Sequence, residues 1–248
     1  MGGLDGCRGG WVLATVPVQV PVQVPVPVQV PGRPTGDDVL EAAVTVAVVP
    51  SIDRVVRALE AGDLAAVAVD IPIGLAESEP RACDREARRR LGPRRGSVFP
   101  APVRAVLATR TYEEACAVSR EACGKGLSKQ LYNIVAKISE VDAVQSSRLQ
   151  HSLFEACPEL SFAVMAGDAP MQHSKRTADG RAERVAVLHE HLGVDVPALL
   201  ETRAPGAQPD DVLDALALAW TALRYLGGSC LRFGGELDAT GLRMEVVA

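Results

Sequence analysis

The run Leu64-Ala-Ala-Val-Ala-Val-Asp70 constrains this chain more than any other stretch, because six apolar residues of strand length end in a carboxylate directly before Ile71-Pro72. A continuous apolar run flanked by helical patterns marks a strand covered on both faces, as in the parallel part of a sheet that carries a helical layer on each side. An acid at the end of such a strand is costly to bury unless it is paired or metal-bound. Sites in open α/β sheets form outside the carboxyl ends of the strands, so Asp70 is a candidate site residue.

Composition fits that class. With 248 residues, 48% hydrophobic, the chain can fill one large core, and with only 4% aromatics that core is built from Val, Leu and Ala. A net charge of −5 offers no general attraction to phosphate backbones or anionic membranes, so any contact with nucleic acid must be local. Cys7, Cys83, Cys116, Cys123, Cys157 and Cys230 include no Cys-x-x-Cys pair, which predicts free thiols and a reducing, cytoplasmic setting. No basic and apolar leader is visible at the N-terminus. Pro17, Pro21, Pro25, Pro27 and Pro31 exclude a membrane helix from the uncharged stretch 11–32.

Along the chain, residues 2–16 read as a hairpin around Gly6-Cys7-Arg8-Gly9-Gly10, with Asp5 following a short first strand. The Val-Pro-Val-Gln repeats read as a low-complexity hairpin insertion over 17–38. A third strand is expected over 44–49, then a helix capped by Ser51 and stopped by Gly62-Asp63. Residues 76–150 read as a mostly helical insertion between the fourth and fifth strands. Its segment 80–104 carries eight arginines against Asp84 and Glu86. A strand over 152–157, helices over 158–166 and 180–192, and a weak closing strand over 242–247 follow. The strongest helix opens at Pro209-Asp210-Asp211, runs to Leu226 and is closed by Gly227-Gly228.

Asp5, Asp70, Glu155, Asp211 and Asp214 thus fall on strand ends and on one helix edge, and the last two are three apart on a shared helix face. Carboxylates so placed suit magnesium or manganese, which take a few carboxylate oxygens, and a pair of such ions can drive phosphodiester cleavage. Each acid also has a plain structural role open to it: Asp5 in a turn, Asp210 and Asp211 as helix caps, Asp70, Asp214, Glu155 and Glu159 in ion pairs. Gly124-Lys125-Gly126-Leu127-Ser128 is not a nucleotide-triphosphate loop, because Ser119 stands where its first glycine belongs and Gly126 follows the lysine. His151, His173, His189 and His191 accompany no nucleophile elbow and read as surface residues.

Several blocks in order, Leu4-Asp5-Gly6-Cys7-Arg8-Gly9-Gly10-Trp11, Val69-Asp70-Ile71-Pro72-Ile73-Gly74-Leu75, Ser97-Val98-Phe99-Pro100-Ala101-Pro102, Pro158-Glu159-Leu160-Ser161-Phe162 and Asp211-Val-Leu-Asp214-Ala-Leu-Ala, resemble the domain of unknown function 429 family. That family is described as predicted ribonuclease-H-like nucleases, and the last block is also similar to the final helix of Holliday-junction resolvases. The resemblance implies a ribonuclease-H-like mixed sheet flanked by helices in one domain over 1–248. It further implies a Mg or Mn site of two ions on Asp5, Asp70, Asp211 and Asp214, with Glu155 as accessory ligand or base. Cys157 departs from the pattern, standing where many relatives carry histidine.

The leading expectation is a metal-dependent nuclease in which Arg81, Arg85, Arg94 and Lys175 hold the phosphate backbone of nucleic acid. Two alternatives stand beside it: a non-catalytic binding or regulatory protein of the same fold, and a small-metabolite phosphotransferase of actin-like fold.

Overall fold

The computed structural model describes residues 1–17, 44–203 and 205–248. The Val-Pro-Val-Gln insertion, apart from Pro17, lies outside the described residues.

Strands β1 (Gly2–Cys7) and β2 (Gly10–Thr15) form the expected hairpin about Arg8-Gly9. Asp5 lies within β1, paired to Val12, and does not follow the strand as its glycine-rich neighbourhood suggested. β3 (Thr45–Val49) pairs antiparallel to β2, β4 (Val67–Val69) parallel to β1, and β5 (Leu153–Glu155) parallel to β4. The order is β3-β2-β1-β4-β5, a five-stranded mixed sheet among the described residues.

The pleat sends alternate residues to opposite layers. Leu4, Trp11, Val67, Val69 and Leu153 face α1 (Ile52–Ala61), α3 (Tyr112–Cys123) and α4 (Lys129–Val144) in one apolar core. Cys7, Val12 and Ala14 face α6 (Ala178–Leu192) and α8 (Pro209–Leu226) in another. Helix α8 lies directly on β1. A Cβ on Gly3 would sit 1.9 Å from the Ala215 carbonyl oxygen and 2.2 Å from the Ala219 nitrogen, so only glycine admits this approach. Ser51 does occupy the N-cap of α1, but its hydroxyl makes no cap bond. Glu140 accepts from the Ile52 N–H at 2.7 Å instead, and also from the Trp11 indole at 3.1 Å.

Between β4 and β5 the chain passes through α2 (Ala82–Leu91), two 3-10 turns, α3 and α4. After β5 come α5 (Pro158–Met165), α6 and the short α7 (Val196–Glu201), then α8. A separate hairpin, β6 (Arg232–Leu237) with β7 (Arg243–Val247), packs Val246 and Met244 against Cys83, Ala87 and Leu91 of α2. The sequence pattern did not reveal α7 or β6. Among the described residues no helix is long and apolar enough to cross a membrane, and all six cysteines are free.

Candidate acidic site

Register brings the first two acids together. Leu4 of β1 pairs with Val69 of β4, and the Asp70 N–H donates to the Leu4 carbonyl at 3.1 Å, so the next residues, Asp5 and Asp70, lie side by side on neighbouring strands. Leu4 and Val69 both point into the core under α4. Asp5 and Asp70 therefore project to the opposite face, toward α8, across a strand spacing of roughly 4.8 Å. The close fit of α8 on Gly3 sets Asp214, next to Ala215, over that same spot. All three acids line one cleft of about 730 Å³, with Glu155, Glu159, Lys175, Arg94 and Arg176.

Among the described residues, Lys175 is the one cation lining the cleft that is hydrogen-bonded to any of the three acids. Lys175 donates to Asp214 Oδ2 at 2.5 Å. Burial pushes the Asp5 carboxyl well above the ordinary carboxylate range, and the neighbouring charges of Asp214 and Asp70 push it further than Lys175 can offset. Asp70 is raised to about 7, first by burial and then by Asp214. Asp214 is also raised by burial, against the pull of Lys175. For Lys175, burial disfavours the ammonium, but Asp214, Asp5 and Asp70 outweigh it and hold the charge on. Burial and the Asp70 charge both raise the Cys157 thiol in the same cleft, which keeps it protonated and a poor nucleophile.

The other expected site residues have different occupations. Asp211 is outside the cleft lining: its Oδ2 accepts from the Gln208 N–H at 2.8 Å in a capping box that starts α8. Glu155 ends β5 in register with Val69 and lines the cleft, where its charge also raises Asp70. Arg81 donates to both Glu155 oxygens at 2.7 Å, and the Ile73 N–H adds a third bond at 2.7 Å. Arg81 is 2% exposed, also grips Asp84 at 2.5 Å, and is spent on this internal cluster rather than on a ligand. Arg85 is exposed, donates to the Pro80 carbonyl and lies away from the cleft. Arg94 does line the cleft, braced by the Met171 carbonyl at 2.8 Å. Glu159 is bound by Arg184 at 2.8 and 2.9 Å.

Sequence reasoning passed over Phe99, Gln130, Asn133 and Lys137, which also line the cleft. The last three recur at helical spacing on α4, a periodicity that could have flagged them. The four histidines are exposed. Among the described residues no three His, Cys, Asp or Glu side chains stand ready as a coordination sphere.

Fold and cleft together define an α/β protein whose mixed sheet presents an acidic site at the ends of β1 and β4. The chain belongs to the family described as a protein of unknown function, DUF429, whose profile it matches over residues 3–239. Searches of curated proteins and of solved structures return no match.

Proposed function

We propose that the chain is a metal-dependent nuclease of ribonuclease-H-like fold that hydrolyses phosphodiester bonds in nucleic acid. The observation that carries this reading is the gathering of Asp5, Asp70 and Asp214, distant in sequence, in one cleft where burial raises all three carboxyls, the charge of Asp214 raises the other two further, and Lys175 is hydrogen-bonded to Asp214. Perturbed acids in a concave site are a sign of function, since a fold has no structural use for repulsion it does not neutralise.

The donor chemistry suits a hard divalent cation, since the three carboxylates supply only oxygen ligands, although among the described residues they do not stand as a ready coordination sphere and Lys175 holds Asp214. Asp5, Asp70 and Asp214 would hold magnesium or manganese, which when bound supplies electrostatic stabilisation of charge developing on a phosphate. Lys175 would leave Asp214 and turn to a phosphate oxygen, while Arg94 and Arg176 on the cleft wall would hold the flanking backbone. Asp211 and Arg81 would act from outside the cleft, the first by fixing the start of α8 and the second by fixing Glu155.

One observation favours a second reading, a ribonuclease-H-like binding or regulatory protein without turnover: Lys175 already pairs with Asp214, as it would in a site that holds no metal. The two are separated by incubating the protein with single- and double-stranded DNA, RNA and hybrids in magnesium or manganese. Cleavage that disappears in Asp70→Asn, with the fold intact, is the expected result. Inertness on every substrate would overturn the nuclease reading.

A further inference from the structure

Beside its acids the cleft lining carries a second kind of chemistry. Phe99 is 43% exposed, the largest aromatic exposure among the described residues, and it lines the cleft. Its loop is held on both sides. Val98 is buried in the core against α2, with its carbonyl bonded by Arg88, and the Ala101 N–H donates to the buried Asp84 at 2.8 Å. Pro100 and Pro102 stiffen the backbone between and beyond these anchors. A ring presented from so fixed a loop is preorganised, unlike an isolated apolar residue on a mobile surface.

Helix α4 completes the arrangement. Val135 and Ile138 are buried in the core, while Gln130, Asn133 and Lys137, at three- and four-residue spacing, line the cleft together with Leu131 and Ile134. Gln130 and Asn133 are exposed there. Carboxamides carry both a donor and an acceptor and match the edge of a nucleobase, while an aromatic face suits its plane. Lys175 and Arg176 supply cations on another wall of the same cleft. At about 730 Å³ the space is of small-ligand size, enough for an extruded or single-stranded nucleotide and too small for a duplex.

We infer that the cleft contains a nucleobase subsite, in which Phe99 stacks on one unpaired base while Gln130 and Asn133 reach its edge, so that the chain acts on unpaired nucleotides. This inference rests on the nucleic-acid reading of the acidic site and names its substrate class.

The test compares two probes: a short dye-labelled oligothymidylate and an abasic oligomer of equal length, bound to the full chain with calcium replacing magnesium to suppress cleavage. Fluorescence anisotropy should give about tenfold tighter binding of the base-bearing probe, the scale of one stacked base. Phe99→Ala should erase that difference and leave the abasic affinity unchanged, and Phe99→Tyr should restore it. Equal binding of both probes by the wild-type chain, or a difference that survives Phe99→Ala, would overturn the subsite while leaving the nucleic-acid reading in place. Failure to bind either probe would overturn both.

Discussion

Two clusters of buried charge border the same cleft, and they are built to opposite ends. Around Arg81, the acids Glu155 and Asp84 share one guanidinium, and the carbonyls of Ile73 and Gly74 take its remaining hydrogen bonds at 3.1 Å. Around Asp5, three acids share one lysine, and two strands and a helix hold them together despite their repulsion. A buried acid pair gripped by a guanidinium and held by backbone bonds organises the fold, even though burial still raises the Glu155 carboxyl. Acids that repel one another at a cleft open to solvent are kept for a ligand.

Replacing one member of each cluster breaks or sharpens this contrast. The largest effect belongs to the satisfied cluster: Arg81→Ala leaves two buried carboxylates without their cation and should cost about 3–5 kcal/mol in chemical denaturation. Asp70→Asn removes repulsion instead, so the same measurement should give a gain on the order of 1 kcal/mol together with loss of any cleavage. A loss of stability in Asp70→Asn as large as that of Arg81→Ala would erase the distinction between the clusters.

The pH dependence separates two kinds of acid. Asp70 has a folded pKa of about 7 against an ordinary 3.8, so between these values the folded protein keeps a proton that the unfolded chain has released. Stability should therefore fall as pH rises through this window, and Asp70→Asn should flatten the fall. Asp238 behaves in reverse. Burial opposes its charge, but the Thr240 hydroxyl, the Leu75 N–H and Arg104 prevail and hold it down to about 2. Its contribution should be present above 3.8 and be lost as pH falls toward 2, a loss that Asp238→Asn removes. Denaturation midpoints collected across pH check both. The smallest effect is expected at Arg85, exposed and away from both clusters: Arg85→Ala should change stability by no more than about 0.5 kcal/mol and leave cleavage unaltered.

What could be read from the sequence was whatever local pattern determines. The apolar run before Asp70 announced β4, the glycine-rich turn announced the β1–β2 hairpin, and Pro209-Asp210-Asp211 with Gly227-Gly228 bracketed α8. The hairpin strand β6 escaped because Gly234 and Gly235 interrupt its alternation, and α7 because its six residues include Pro197 near the start. Among site residues, local pattern misled wherever a distant partner decides. Arg81 looked like a phosphate clamp in an arginine-rich stretch, yet Glu155, 74 residues away, claims it. The spacing of Asp211 and Asp214 on one helix face suggested two ligands; Asp211, at the third helical position, accepts from the Gln208 N–H and lies outside the cleft lining, while its charge still raises Asp5. Asp5 and Asp70 meet through strand register, which no local pattern encodes.

Manganese calorimetry on the wild-type chain and on Asp70→Asn most directly tests whether the acids of β1, β4 and α8 form a cation site. One binding event in the wild type, weakened at least about tenfold by the substitution, a loss of about 1.4 kcal/mol, is the predicted outcome. Identical titrations for the two proteins, or no binding by either, would contradict it.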